Sequence, residues 1–145
     1  MPFRFSLASV LRVRESIERR EELALQRVEM EVVRVKHRID ELTHELARAG
    51  EARENALRNS IPAYDLQSMD AQMNAALDAK QILLDTLQTL QQQRDAQMKL
   101  YQVAYNGRQM LTDLLEQKKN EYKQEQDHAQ QKRIDDLFAS RWQRN

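Results

Sequence analysis

An all-α fold, a long two-helix antiparallel coiled-coil hairpin with an overhanging C-terminal helix, follows from three observations. Backbone punctuation is almost absent, apolar residues recur at three- and four-residue steps, and one short cluster near the middle of the chain interrupts both. The only prolines are Pro2 and Pro62 and the only glycines Gly50 and Gly107, so two long uninterrupted segments remain. Of the 145 residues 41% are hydrophobic, 6% aromatic and 32% charged, with a mean hydropathy of −0.83, which suits a narrow apolar seam under a large wet surface rather than a thick core.

In the first segment the seam runs through Leu7, Val10 or Leu11, Ile17, Ala24, Val28, Val32, Val35, Ile39, Leu42, Leu46 and Ala49, a heptad pattern on one helix face. The β-branched Val32, Val33 and Val35 stand among Arg34, Lys36 and glutamates with no strand-length alternation, so helix is expected there as well. Ser6 is placed to cap the first turn.

The break falls at Arg58-Asn59-Ser60-Ile61-Pro62-Ala63. Asn59 can end one helix in the left-handed conformation, Ser60 can cap the next, and Pro62 suits its first turn, where a missing N–H does little harm. The expected layout is a single hairpin over 1–145, with a first helix at about 6–58, a bend at 59–62 and a second helix at about 63–140.

The second helix resumes the seam with Leu66, Met69, Met73, Ala76 or Leu77, Leu83, Leu87, Leu90, Met98, Tyr101, Tyr105, Leu111, Leu115 and Tyr122, and reacquires apolar residues at Ile134, Leu137, Phe138 and Trp142. Met69, Met73, Met98 and Met110 read as core filling. Pairing sets residue i roughly opposite 121 minus i, with Leu7 near Leu114 and Ile39 near Leu83. At 1.5 Å per residue the helices measure roughly 80 Å and about 120 Å, so about 25 residues overhang. The stretch beyond about Lys118 is expected to lack a partner in its own chain, and its late apolar patch is best explained by burial on another protein. Gly107 marks a kink, a close contact or a tolerated defect.

Charge and chemistry exclude several classes of function. The 23 basic and 23 acidic side chains balance, which argues against bulk attraction to nucleic acid or an anionic membrane. Arg12, Arg14, Arg19 and Arg20 are interleaved with Glu15, Glu18, Glu21 and Glu22 at helical spacing and read as intrahelical pairs. There is no cysteine, and no apolar run approaches the roughly 20 residues of a membrane span, so a soluble cytoplasmic protein is expected, reaching a membrane only through partners. His37, Glu41 and His44 lie on successive turns and could chelate a metal, but the H-E-x-x-H order is missing and a solvated charged face is the better reading. Neither glycine belongs to a phosphate-cradling motif, and a two-helix hairpin offers no enclosed pocket for catalysis, so no enzymatic activity and no cofactor are expected.

The two ends carry more specific patterns. Phe3-Arg4-Phe5-Ser6-Leu7-Ala8-Ser9-Val10-Leu11-Arg12-Val13-Arg14-Glu15 resembles the F-x-F-x-L-x-x-V-L-x-x-R-E opening of the FliJ family, and Gln130-Gln131-Lys132-Arg133-Ile134-Asp135-Asp136-Leu137 resembles its late Q-K-x-x-D-E-L element, with Asp136 in place of Glu. Length, central bend and overhang also agree. The resemblance implies a cytoplasmic, non-enzymatic component of the flagellar type III export apparatus, at the cytoplasmic side of the basal body, whose coiled coil is similar to the γ-subunit stalk of ATP synthase. Its implied partners are the hexameric export ATPase, the cytoplasmic domain of the export gate and export chaperones, with the free chain expected as a monomer. For the ATPase the resemblance points to Phe3, Phe5, Leu7, Leu11, Arg14, Arg133, Asp136 and Leu137; for the gate, to Leu42, Glu45, Met69, Gln72 and Ala76. The rival expectations are the equivalent stalk of a virulence secretion system and a structural coiled-coil scaffold.

Overall fold

The computed structural model describes residues 2–144, with the side chain of Arg144 outside the description. The expected span of 1–145 thus includes Met1 and Asn145, which lie outside the described residues. Two helices, α1 (Ala8–Arg58) and α2 (Ala63–Arg144), pack against each other as a hairpin, with no strand among the described residues. Their contacts fall into two compact units, Met1–Arg20 with Gln102–Asn145 and Glu21–Tyr101.

Each helix starts and stops for a local reason. The amide of Leu11 bonds to the carbonyl of Leu7 at 2.9 Å, so α1 opens after a turn in which the Ala8 amide bonds to the Phe5 carbonyl at 3.1 Å. The first helical carbonyl is therefore that of Leu7, and Ser6 lies outside the cap position expected for it. At the bend it is Ser60, not Asn59, that takes the left-handed conformation, with φ of 53°. The amide of Ile61 reaches back to the carbonyl of Ala56 at 3.4 Å, the six-to-one bond that closes a helix C-terminus of this kind. Ser60 thus terminates α1 and cannot cap α2. That start rests on the carbonyl of Pro62, which accepts from Asp65 at 3.1 Å and Leu66 at 3.3 Å. Pro62 gives up no bond by lacking an N–H there, and Asp65 in the first turn complements the helix dipole.

Within the Glu21–Tyr101 unit the core is one residue thick: Leu25, Val32, Ile39 and Leu42 are buried at 3–9% exposure, flanked by half-buried Leu66, Met73, Leu83, Leu87 and Leu90 of α2. The Arg53 guanidinium donates to Asp70 at 2.6 Å beside the bend, and its charge is stabilised and its pKa raised by that bond. Farther along, the Gln97 side-chain amide donates to the Glu21 carbonyl at 3.2 Å and also to its carboxylate.

In the other unit Leu11 and Ala104 are the buried apolar residues. Ala104 takes the place expected for the bulkier Tyr105, which is more than a third exposed and lies with its ring 5.1 Å from the Arg108 guanidinium. Leu11, not Val10, holds the seam position. Arg108 donates from two nitrogens to Glu18, at 2.6 and 3.2 Å, and both side chains are about four-fifths buried. Gly107 leaves α2 unbroken; a Cβ there would come within 3.3 Å of the Arg14 guanidinium, so of the three readings a close contact is the one observed.

Candidate protein-interaction surfaces

The residues singled out at the chain ends occupy two separate places. Residues 2–5 precede α1 without regular structure, and Phe3 packs against Tyr122 of α2 with ring centroids 5.5 Å apart at 56°. A cleft of about 810 Å³ lies where this segment runs along α2, with Phe3, Phe5 and Leu7 on one wall and Leu114, Lys118 and Tyr122 on the other. Pairing of α2 therefore continues about a turn past Lys118, because the N-terminal segment, though not helical, packs on it there. Leu11 is part of the core instead, with 8% exposure.

Arg133, Asp136 and Leu137 are exposed on the last part of α2, and the fold does not bring them to Phe3 and Phe5. From Tyr122 to Leu137 the helix rises by roughly 22 Å. Ile134, Phe138 and Trp142 follow one another at four-residue steps, with Leu137 beside them, so they share a face. Their exposures are 47%, 63%, 80% and, for Leu137, 67%. All of residues 123–143 are exposed, so this apolar face has no cover within the described chain. Sequence reasoning assigned this apolar patch to burial on another protein and named only Leu137 of it among the ATPase contacts; the four-residue spacing joins Phe138 and Trp142 to it.

Near the bend, Glu45, Met69, Gln72 and Ala76 line a single groove of about 290 Å³ together with Leu46, Ala49, Ala52 and Met73. Small side chains from α1 and flexible thioethers from α2 leave an adaptable concave surface. Leu42, grouped with them from the sequence, is 4% exposed and belongs to the core instead. At the tip, Leu57 is 48% and Tyr64 79% exposed.

The charged faces of α1 are occupied locally. His37 lies 2.9 Å from Glu41, which is shared with Arg38 at 3.0 Å, and Arg34 meets Glu31 at 2.7 Å. Among the described residues no group of three carboxylate or imidazole side chains is placed to hold a metal ion, and no helix is long and apolar enough to cross a membrane. What the geometry offers is apolar and mixed surface on a helical scaffold: a cleft under the N-terminal segment, an uncovered helix face at the end of α2, and a methionine-lined groove by the bend.

No curated protein and no solved structure matches the chain. A family model does, that of the flagellar FliJ protein, and its match runs over residues 3–145, from the first aromatic of the N-terminal segment to the end of α2. With nearly every residue inside that match, and with the hairpin expected from both end motifs in place, the chain belongs to the FliJ family of flagellar proteins, components of the flagellar export apparatus.

Proposed function

We propose that this chain is the non-enzymatic stalk of the flagellar export ATPase, promoting assembly and activity of the hexamer and linking it to the cytoplasmic domain of the export gate, with export chaperones as further partners. The single observation that carries this reading is the uncovered face of Ile134, Leu137, Phe138 and Trp142 on a helix that continues past the end of its own pairing. A lone helix in water gains too little from its backbone bonds to keep four large apolar side chains exposed without purpose. A ring lumen lined with apolar and charged groups would bury that face and meet Arg133 and Asp136 on its flanks.

The cleft-lining Phe3, Phe5 and Leu7, with Arg14, form the second part of the ATPase contact, set back along α2. The groove of Glu45, Met69, Gln72 and Ala76 is the contact for the gate, since methionines beside small residues can accommodate a partner that comes and goes. Such a protein works on the cytoplasmic side of the basal body. The test is ATP hydrolysis and hexamer assembly by the purified export ATPase with and without the chain. The native chain stimulates both, Leu137→Asp with Phe138→Asp abolishes the stimulation at unchanged helicity, and stimulation that survives this double change excludes the α2 end as the contact.

A further inference from the structure

The two units are closed by different chemistry. Within Glu21–Tyr101 four branched apolar side chains of α1, Leu25, Val32, Ile39 and Leu42, are buried, and half-buried Leu83, Leu87 and Leu90 meet them from α2. In the chain-end unit, Met1–Arg20 with Gln102–Asn145, Leu11 and the small Ala104 are the only described residues buried as deeply. Charged residues stand where its core would continue. Arg14 and Glu18 follow Leu11 at steps of three and four residues, and Arg108 follows Ala104 at a step of four.

These charges are organised around one guanidinium. Arg108 gives two nitrogens to the Glu18 carboxylate and its third to the Gln109 side-chain oxygen at 3.0 Å and the Thr112 hydroxyl at 3.3 Å, under the Tyr105 ring. Across the pair, the side chain that Gly107 lacks leaves room for the Arg14 guanidinium. The closed state thus satisfies its polar groups, but it draws little on apolar burial. An ion pair taken out of water closes a seam less firmly than apolar side chains of similar volume, because both charges recover their hydration when the helices part. Few buried apolar side chains and a seam held by polar bonds are what mark a segment that opens locally, ahead of the rest of a fold.

We infer that the chain-end unit is a latch that opens by itself: Glu18 and Arg108 separate, residues 8–20 of α1 leave α2, and the Glu21–Tyr101 unit stays packed. Opening uncovers Leu11 and Ile17 on α1 and Leu111 and Leu115 on α2, which the closed unit keeps buried or half-buried. The latch is a property of the free chain, so it stands or falls independently of the stalk reading.

Hydrogen exchange of the full chain under native conditions, with closing faster than chemical exchange, tests it. Residues 11–20 and 104–115 are less protected than residues 25–42, and their exchange depends less on urea because their opening exposes less surface. Leu25→Ala separates a local opening from unfolding of the whole chain. It speeds exchange over residues 25–42 roughly 30-fold and leaves residues 11–20 and 104–115 unchanged, since the unit it weakens is still packed when the latch is open. Glu18→Leu combined with Arg108→Leu closes the seam with apolar side chains and slows exchange over residues 11–20 and 104–115. If Leu25→Ala speeds both sets alike, the chain opens as one and the latch is overturned. If the leucine pair leaves exchange in the chain-end unit as fast as in the native chain, Glu18 and Arg108 do not govern the opening and the assignment fails.

Discussion

The guanidinium of Arg14 lies 3.3 Å from where a Cβ on Gly107 would stand. Glycine inside a helix costs about 1 kcal/mol relative to alanine, and the obstacle here is the far end of a flexible side chain that can give by a few tenths of an ångström. Gly107→Ala therefore stabilises the chain by up to about 1 kcal/mol in urea unfolding. Gly107→Leu pushes Arg14 off α2, and in the stalk reading it weakens binding to the ATPase with helicity unchanged.

A seam one residue thick is sensitive to truncation along its length. Leu25→Ala, at a position 7% exposed, destabilises by about 2 kcal/mol, the low end for buried leucine, because neighbouring side chains on a narrow seam can partly close the space. Val33→Ala, 66% exposed on the same helix, stays within about 0.5 kcal/mol. Equal effects at the two sites in chemical denaturation would contradict the burial pattern.

The Glu18–Arg108 pair makes a separate prediction through its charge. The Glu18 hydrogen bonds raise the Arg108 guanidinium above its ordinary value, burial works against them, and the carboxylate charge adds to the rise. A raised folded-state value means that this contribution is fully present below the unfolded value and is lost only as pH climbs through the raised one. The melting-temperature gap between the native chain and Arg108→Gln therefore stays constant from about pH 7 to about pH 10. Glu18→Gln lowers the melting temperature, whereas Glu31→Gln, whose partner Arg34 is 69% exposed, leaves it in place.

The Phe3–Tyr122 contact anchors the segment before α1. An aromatic pair of this kind contributes about 0.5–1.5 kcal/mol to holding that segment on α2. Tyr122→Ala releases it, and limited trypsin digestion then cuts after Arg4 several-fold faster than in the native chain at equal global stability.

Much of this was legible in the sequence because a coiled coil writes its fold in a one-dimensional period. The seam residues Ile39, Leu42 and Val32 could be placed by counting, and the bend by its only internal proline, while the choice between Val10 and Leu11 stayed open until the structure showed Leu11 buried. What period cannot give is local conformation and side-chain reach. That Ser60 rather than Asn59 turns left-handed runs against the preference of asparagine for that conformation and goes with the Ile61 amide reaching the Ala56 carbonyl. That Ala104 rather than Tyr105 is buried goes with the placement of Arg108, which reaches Glu18 and lies over the exposed Tyr105 ring, a reach of side chains that period does not encode. The segment before α1 is not helical, so no periodicity announced that Phe3 would lie on Tyr122. The terminal motifs grouped Leu137 with Phe3 and Phe5, but motif proximity in a family pattern carries no distance, and the helix rise separates them.

The chain has one tryptophan, Trp142, 80% exposed on the uncovered face of α2. Its fluorescence, with the ATPase's own emission subtracted, reads the central claim at the contact itself. Burial of this face in the export ATPase predicts a saturable blue shift that tracks complex formation and disappears with Leu137→Asp and Phe138→Asp. A complex that forms by size while Trp142 keeps its fully solvated emission would contradict the claim that the end of α2 is what the ATPase holds.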